Sequence, residues 1–250
     1  MCTLVIINRV FASFPLVVAS NRDEQLDRPS GPPRIWTDRP ISVFAPVDRI
    51  GGGSWLGINA RGVFVGITNR VGSSPPDKNR RSRGLLVLEA LEEKDAQSAA
   101  ERIGAIVPKK YNRFHLIVAD KQQAFLIWSD GEQVTYRNLG VGVHILTERS
   151  LGAASGQREE WIGSRLKAVD PKVCLRKDFW SQLLGYHAKD PFDGTCVHAP
   201  KFDYATRSSS LIWMESDSVR FFHAEGAPCK TPYVDFSKQV TKMVTQSSVY

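Results

Sequence analysis

The sequence predicts an α+β fold in which helices cover mostly antiparallel β-sheet. Short segments rich in β-branched residues occur in clusters along the chain, and turn-forming residues separate them. One long and two shorter helical patterns interrupt these clusters, without the strict strand–helix alternation of a parallel doubly wound sheet. Neither a linker of biased composition nor a repeat divides the 250 residues, so we expect a single domain over residues 1–250.

The N-terminal third is predicted to contain two hairpins. The first pairs residues 3–7 with residues 16–20, and the second pairs residues 54–58 with residues 62–68. The polar, Pro-rich segment 21–40 between them is expected to lie outside the core. The glycine run before the second hairpin is followed by Ser54 and Trp55 rather than by a Lys-Ser or Lys-Thr pair. It therefore favours a tight turn over a phosphate-binding loop.

The clearest helical pattern covers residues 83–103, with Ser82 as the expected N-cap and Gly104 as the stop. Further strands and helices follow, and a weakly patterned tail ends the chain. The predicted strands are 114–119, 124–128, 133–137, 141–147, 206–214 and 218–223, and the predicted helices are 157–169 and 177–187.

The formal net charge of +7 favours anionic partners without selecting one class among them. The densest basic run comprises Lys78, Arg80, Arg81 and Arg83, next to a predicted helix start. It fits either a solvated loop or an anchor for phosphate or carboxylate near a pocket. Aromatic residues are not interleaved with it, so no nucleic-acid partner is expected.

A transmembrane segment is not expected, because no apolar run approaches the roughly 20 residues that span a bilayer. The apolar stretches at residues 2–7 and 14–20 fit either two strands or a secretion signal. Asn8 and Arg9 interrupt them, and no basic residue precedes the first. Two strands and a cytoplasmic protein are therefore the preferred interpretation.

Four cysteines are scattered along the chain: Cys2, Cys174, Cys196 and Cys229. Their spacing is not that of a C-x-x-C motif, so we expect neither a metal site nor a disulfide framework. Cys174, Cys196 and Cys229 are expected to be interior thiols. Cys2 differs because it lies next to the N-terminus.

Removal of Met1 would leave Cys2 with a free α-amino group. Such an amine has a pKa near 8 and can accept the proton of the neighbouring thiol without a histidine. Cys2 would then supply both nucleophile and base for an attack on an amide. The alternative is that a cysteine at this position is inert.

Polar residues at strand ends are the candidates to support such a nucleophile, because an oxyanion needs fixed donors and the amine needs a nearby carboxylate. They are Asn21, Asp23, Asn69, Thr147, Glu148 and Arg207. The alternative interpretation makes the two asparagines turn residues and Arg207 a surface charge.

Four motifs in order resemble the NRDE family, which includes the transport and Golgi organization 2 homologs. They are Met1-Cys2-Thr3, Ala19-Ser20-Asn21-Arg22-Asp23-Glu24, Gly52-Gly53-Ser54-Trp55-Leu56-Gly57 and Tyr204-Ala205-Thr206-Arg207-Ser208-Ser209-Ser210. More distantly, the chain is similar to cysteine N-terminal-nucleophile amidases that act on bile salts and penicillin V. This resemblance implies a four-layer αββα sandwich.

The resemblance also implies roles for individual residues. Cys2 would be nucleophile and base, Asp23 would hold the amine, Asn69 would donate to the oxyanion, and Arg207 would stand for a pocket arginine. The residues expected to bind substrate are Asn21, Arg22, Trp55, Thr147 and Glu148.

Two positions depart from the amidase pattern. Ser20 stands where those enzymes carry an arginine, so an arginine contact would have to come from Arg22. Glu148 stands where they have an asparagine. An ionised glutamate only accepts hydrogen bonds, so it could not stabilise an oxyanion.

Two functions from different classes therefore remain open. One is an amidohydrolase or acyltransferase acting on a small molecule through Cys2. The other is a non-catalytic protein that binds or traffics haem, an acyl-CoA or a lipid. No resident cofactor is expected, and haem enters only as a ligand of the second hypothesis, held by a thiolate or by a histidine. The histidines are His115, His144, His187, His198 and His223.

Overall fold

Two antiparallel β-sheets form the centre of the computed structural model, which describes residues 2–151 and 156–246. The strands of the first sheet are β1 (Cys2–Phe11), β2 (Phe14–Gln25), β10 (Gly142–Leu146), β11 (His198–Ala199), β12 (Tyr204–Met214), β13 (Val219–Ala224) and β14 (Val234–Asp235). Their order is β10-β1-β2-β12-β13-β14, with β11 paired to β12.

The second sheet is a meander in which each strand pairs with the next along the chain. Its order is β3-β4-β5-β6-β7-β8-β9. The strands are β3 (Ser30–Trp36), β4 (Val43–Asp48), β5 (Leu56–Asn59), β6 (Phe64–Asn69), β7 (Phe114–Ala119), β8 (Ala124–Ser129) and β9 (Val134–Asn138).

The described helices are α1 (Gly84–Ala90), α2 (Ala96–Gly104), α3 (Gln157–Lys167), α4 (Lys177–Leu184) and α5 (Ser237–Gln246), with short 3-10 helices at Pro108–Lys110, Pro171–Leu175 and Pro200–Phe202. The first four cover the outer faces of the two sheets, whereas α5 packs against the inter-sheet core. The helices α3 and α4 pack on the first sheet, and α1 and α2 pack on the second. This is the predicted four-layer αββα sandwich. Within the described residues, no helix is both long and apolar enough to cross a bilayer.

The two-residue period of the strands decides which side chains meet between the sheets. In β1, Leu4 belongs to the core between the sheets, whereas Val5 belongs to the core under α3 and α4. The same alternation in β2 places Arg22, which pairs with Cys2, on the inter-sheet face. Asp23 consequently lies on the face that the helices cover.

The glycine run at residues 51–53 forms a turn, as predicted, and it also lets α1 approach the second sheet. Gly52 has a φ of 68°, which favours glycine. A Cβ added to Gly53 would lie 2.2 Å from the carbonyl carbon of Gly84. The first residue of α1 therefore contacts this turn directly, which fixes the position of the preceding Arg83.

The long helix predicted over residues 83–103 is two helices. Asp95 is extended, with φ of −151°, and its carboxylate accepts a hydrogen bond from the Ser98 backbone N–H at 2.7 Å, which begins α2. Both helices bury apolar residues against the same sheet, so the helical spacing continues across the break. Ser82 is not the N-cap residue, although its Oγ accepts a hydrogen bond from Gly84 N at 3.3 Å.

Segment 21–40 is more ordered than the sequence predicts. Strand β2 continues to Gln25, and β3 forms the edge of the second sheet. An edge strand tolerates proline, and the pairing of β3 with β4 shifts register between Gly31 and Arg34, around Pro32 and Pro33. Strand β4 lies in a segment for which no element was predicted.

The other predicted strands and helices agree with the structure to within a few residues, and β7 agrees at both ends. The tail is an exception, because it contains β14 and α5. Val240, Met243 and Val244 of α5 are buried at the inter-sheet core.

The inter-sheet core predicts the effect of a large truncation. Phe221 is fully buried and meets Phe44 edge to face, with 5.1 Å between ring centroids. We expect Phe221→Ala to lower the free energy of unfolding by about 3–5 kcal/mol, because it removes buried area and leaves a cavity. Urea denaturation measures this. Val141→Ala, at a residue that is 65% exposed, is the control and should change little; equal effects would contradict the assigned core.

Candidate functional site

The candidate site lies where several strands begin or end at one edge of the sandwich. Strand β1 begins there with Cys2, and β2 returns to it because Cys2 pairs with Arg22. Strand β12 leaves it again, with Thr206 opposite Asp23. Strand β6 reaches the same edge in the second sheet and ends at Asn69. The antiparallel order therefore brings residues distant in sequence to one place.

A cavity of about 470 Å³ opens at this edge. Cys2, Arg22, Trp55 and Asn69 line it, which brings together four residues predicted for the site. Its size is within the range of small-molecule sites.

Cys2 is half-buried, and its thiol points toward the backbone carbonyl oxygen of Asp23 at 3.9 Å. Burial raises the pKa of the Cys2 thiol, and the negative charge of Asp23 acts in the same direction. The thiol is therefore protonated at neutral pH, so a base must remove its proton before it can attack.

The Arg22 guanidinium group is buried beside this thiol. It lies over the Trp55 ring, 4.6 Å from the centroid, and 3.6 Å from the Glu24 carboxylate. Burial lowers the pKa of Arg22 from its ordinary value. Its Nη1 atom has no hydrogen-bond partner among the described residues. A donor that is buried and unpaired in this way is suited to an oxygen atom of a ligand.

The basic run predicted as either a loop or an anchor lies on the cavity wall. Lys78, Arg80, Arg81 and Arg83 all line it. Arg81 forms an ion pair with Glu89 at 2.5 Å. Arg83 instead donates to a backbone carbonyl oxygen at 2.8 Å and has no carboxylate partner among the described residues. Lys78 and Arg81 are exposed and Arg80 and Arg83 are half-buried, so the run is solvated and also forms part of the cavity wall.

The Asp23 carboxylate lies on the opposite face of β2, where each of its oxygens has a partner. Its Oδ2 forms an ion pair with Arg158 Nη1 at 3.1 Å, and its Oδ1 accepts a hydrogen bond from Thr206 Oγ1 at 2.6 Å. Arg158 also donates to Thr3 Oγ1 at 3.1 Å and to the Phe192 carbonyl oxygen at 2.8 Å. Asp23, the carboxylate expected to bind the amine of Cys2, thus forms an ion pair with Arg158 of α3.

Sequence reasoning missed Arg158. The available signal is its place in α3, one turn before the buried Ile162, which puts both on the buried face of the helix. An arginine on such a face requires a carboxylate partner.

Thr147 and Glu148, predicted to bind substrate, do not line the cavity that contains Cys2. Thr147 Oγ1 donates to the Glu159 carboxylate at 2.6 Å. Glu148 is buried and lines an adjacent cavity of about 380 Å³, which Asn69 also lines. Glu148 and Cys2 therefore line different cavities that share Asn69.

Asn21 and Arg207 are also outside the cavity. Asn21 is buried under α4, where its Nδ2 donates to the backbone carbonyl oxygens of Leu184 at 2.9 Å and Thr195 at 2.7 Å. It stabilises the fold rather than contacting a ligand in this cavity. Arg207 is the extra residue at an irregularity in the pairing of β12 with β2.

The histidines and the remaining cysteines do not line the cavity. His115 and His223 are buried in the sheets, and burial lowers the pKa of His115 to about 4 and that of His223 to about 3. Both are core residues, as a lone histidine on a strand usually is. Cys174 and Cys196 are buried as predicted, but Cys229 is exposed.

Comparison with known protein families shows which family the chain belongs to. The family model described as Transport and Golgi organisation 2 matches residues 1–167. The chain belongs to this family. Two curated members, the Transport and Golgi organization protein 2 homologs of Bos taurus and Homo sapiens, are each 33% identical over 235 residues. Each alignment covers 82% of this chain and 84% of the relative.

Comparison with solved structures identifies the fold of this chain. An N-acylethanolamine-hydrolyzing acid amidase ortholog from Caenorhabditis elegans superposes with a TM-score of 0.56, 13% identity and coverage of 84% of this chain and 92% of that one. A mutant conjugated bile acid hydrolase from Clostridium perfringens gives 0.51, 11% identity and coverage of 94% and 92%. At these identities the likeness establishes the N-terminal-nucleophile hydrolase fold alone.

The buried Arg158–Asp23 pair predicts a large effect on stability. We expect Arg158→Met to lower the free energy of unfolding by about 3–5 kcal/mol, because it leaves the Asp23 charge buried without its cation. The double variant with Asp23→Asn should lose less than the two single variants together. Urea denaturation of all three variants measures the coupling.

Arg176→Met is the matched control, since the Arg176–Asp178 pair at 2.6 Å lies on the surface. It should leave the unfolding midpoint nearly unchanged. Additive losses in the double variant would mean that Asp23 and Arg158 do not interact energetically.

Proposed function

We propose that this protein is an N-terminal-cysteine amidohydrolase or acyltransferase that acts on an amide or other acyl bond of a small anionic molecule. The observation that carries the proposal is the pairing of Cys2 with Arg22. Both line one cavity, and the Nη1 of Arg22 has no partner there. Attack on a carbonyl group needs a nucleophile, an oxyanion donor and a base, and these two residues supply the first two.

The proposed reaction needs the chain to begin at Cys2. The free α-amine takes the thiol proton, and Sγ forms a bond to the carbonyl carbon while the π electrons move to the oxygen. Collapse of this intermediate breaks the bond to the leaving group, which departs with the proton that the amine holds. Water, or an acceptor amine or alcohol, then attacks the thioester and returns the proton to Cys2. The protonated resting thiol is consistent with this requirement for a base.

Two donors are available for the oxyanion. They are the unpaired Nη1 of Arg22 and the side-chain amide of Asn69, both at the cavity. Glu148 supplies no donor when ionised, and it lines the adjacent cavity instead. Arg22 would therefore replace the donor that the amidases draw from an asparagine at the position of Glu148.

The cations of the cavity wall suggest the substrate class. Within residues 2–151 and 156–246, Arg83 has no carboxylate partner, and Lys78, Arg80 and Arg81 line the same space. Carboxylate or phosphate groups fit such a wall, because arginine binds them through paired hydrogen bonds. A cytoplasmic metabolite of this kind agrees with the location expected from the sequence.

An activated anionic ester tests the catalytic proposal. With the p-nitrophenyl monoester of suberic acid, whose carboxylate is too remote to displace the phenolate itself, we expect a burst of p-nitrophenolate and an acyl adduct on the peptide that carries Cys2. Cys2→Ala should remove both signals, whereas Cys174→Ala, at a buried thiol distant from the cavity, should keep them. Intact mass first establishes that Met1 is absent. An adduct confined to the exposed Cys229 would defeat the proposal.

The raised pKa of Cys2 predicts a pH dependence. Alkylation of a thiol by iodoacetamide follows its thiolate fraction, which grows as the pH rises through the thiol pKa. Because burial raises that pKa, the rate at Cys2 in a chain that retains Met1 should reach its midpoint above the usual thiol value of about 8.5. Arg22→Gln removes a stabilising positive charge and should move the midpoint further up. A midpoint below that of a free cysteine would contradict the electrostatics described.

The second candidate is a carrier that binds haem, an acyl-CoA or a lipid without converting it. Glu148 favours it, because this carboxylate stands where the amidases have a donor. Among the described residues, no histidine lines the cavity, so haem would depend on Cys2 for an axial ligand. The carrier hypothesis would be favoured if the protein retains a long-chain acyl-CoA without turnover and if Arg83→Gln weakens this binding. A haem titration without a Soret change would exclude haem as the ligand.

A further inference from the structure

A second group of reactive side chains lies outside the cavity. His187, Cys196, His198 and Cys229 place one ligand atom each within 4.8 Å of the other three. The separations are 3.5 Å between the two sulfurs, 3.5 Å from Cys196 Sγ to His198 Nε2 and 3.2 Å from His198 Nε2 to Cys229 Sγ. The His187 and His198 rings meet edge to face, 5.0 Å apart.

Three chain segments deliver these ligands. His187 follows the end of α4, Cys196 and His198 flank the start of β11, and Cys229 lies in the turn after β13. The backbone holds them close, since Cys196 N donates to the Tyr186 carbonyl oxygen at 2.9 Å. The turn around Cys229 is closed by hydrogen bonds from the next two residues to the Ala227 carbonyl oxygen, at 3.0 and 2.9 Å.

Two thiols and two imidazoles are the ligand set of a structural zinc site. In a tetrahedral site with Zn–S near 2.3 Å and Zn–N near 2.05 Å, neighbouring ligand atoms lie about 3.3–3.8 Å apart. The three separations above are within about 0.3 Å of that range or inside it. Cys196, His198 and Cys229 therefore need only small adjustments to surround one ion, and the ligand atom of His187 lies within 4.8 Å of theirs.

We propose that His187, Cys196, His198 and Cys229 bind one Zn²⁺ ion in a closed tetrahedral site. Four protein ligands leave no open position for water or substrate, which makes the role structural. The site is independent of the acyl chemistry proposed for Cys2.

A disulfide is the competing explanation for the two sulfurs. Their separation of 3.5 Å is well beyond a covalent bond of about 2.05 Å. A disulfide would also leave the convergence of two imidazoles on the same point without a reason. The set of four therefore favours the metal.

The ion would support the buried network on β2. Val197, between the two ligands Cys196 and His198, donates its backbone N–H to Thr206 Oγ1 at 2.8 Å. Thr206 in turn donates to Asp23 at 2.6 Å. An ion that holds residues 196–198 in place would therefore also hold Thr206 against the Asp23 carboxylate.

Metal analysis of the full-length chain tests the proposal. We expect one zinc per chain after purification under reducing conditions. Co²⁺ exchanged into the site should give the intense visible d–d bands of tetrahedral coordination and a thiolate charge-transfer band in the near ultraviolet. Three results would each overturn the zinc proposal: a chain without bound metal, a weak octahedral cobalt spectrum, or a Cys196–Cys229 disulfide in protein purified under reducing conditions.

Variants assign the ligands. The Cys229→Ser variant should fold, because Cys229 is exposed. Its zinc affinity, measured by competition with a chromophoric chelator, should fall by more than the factor of about 10–100 that is typical when a residue outside the ligand set is changed. Cys174→Ser is the matched control, with zinc content and affinity unchanged. Equal affinity for the Cys229→Ser variant and the unmodified chain would contradict the assignment.

Discussion

The buried carboxylate of Asp23 is the constraint on which the site depends. It lies at 2% exposure between a strand and a helix layer, and it is compensated by Arg158 and Thr206. A charge in such a place is tolerated only with a close partner and well-made hydrogen bonds. Through these contacts Asp23 joins β2, β12 and α3, and it fixes the end of β2. The neighbouring Arg22 is thereby fixed on the opposite face, beside the Cys2 thiol.

Because side chains alternate along β1 and β2, the polar residues of these strands lie on two opposite faces of one sheet. Cys2 and Arg22 face the cavity between the sheets, and Thr3 and Asp23 face the helices. The resemblance to the amidases assigned Asp23 to the amine of Cys2. Each of its oxygens already accepts one hydrogen bond, but a carboxylate has about four acceptor positions. A further contact to an amine is compatible with the network, so the carboxylate can serve structure and site together.

What the sequence could predict follows from how local each feature is. The period of two in the strands is local, and it identified the elements that bring Cys2, Arg22 and Asn69 to one edge. The ion pair of Asp23 with Arg158 joins residues 135 positions apart, and nothing in the spacing along the chain indicates it. The same holds for Cys196 and Cys229, whose 33-residue separation resembles no metal motif although the fold brings their sulfurs together. Local pattern predicted the framework, and tertiary contacts decided which polar residues share a site.

The state of the Cys2 thiol decides between the two functional hypotheses. Arg22 favours the thiolate, but burial and the Asp23 charge oppose it and prevail, so the pKa is raised. The cations at the cavity therefore do not activate the sulfur by themselves, and their charge remains available for an anionic ligand. Under the proposed function, a chain that begins with a free amine at Cys2 adds the missing base within the same residue, as acyl transfer requires. Under the carrier hypothesis, a chain whose amine is blocked keeps the same cationic cavity for binding.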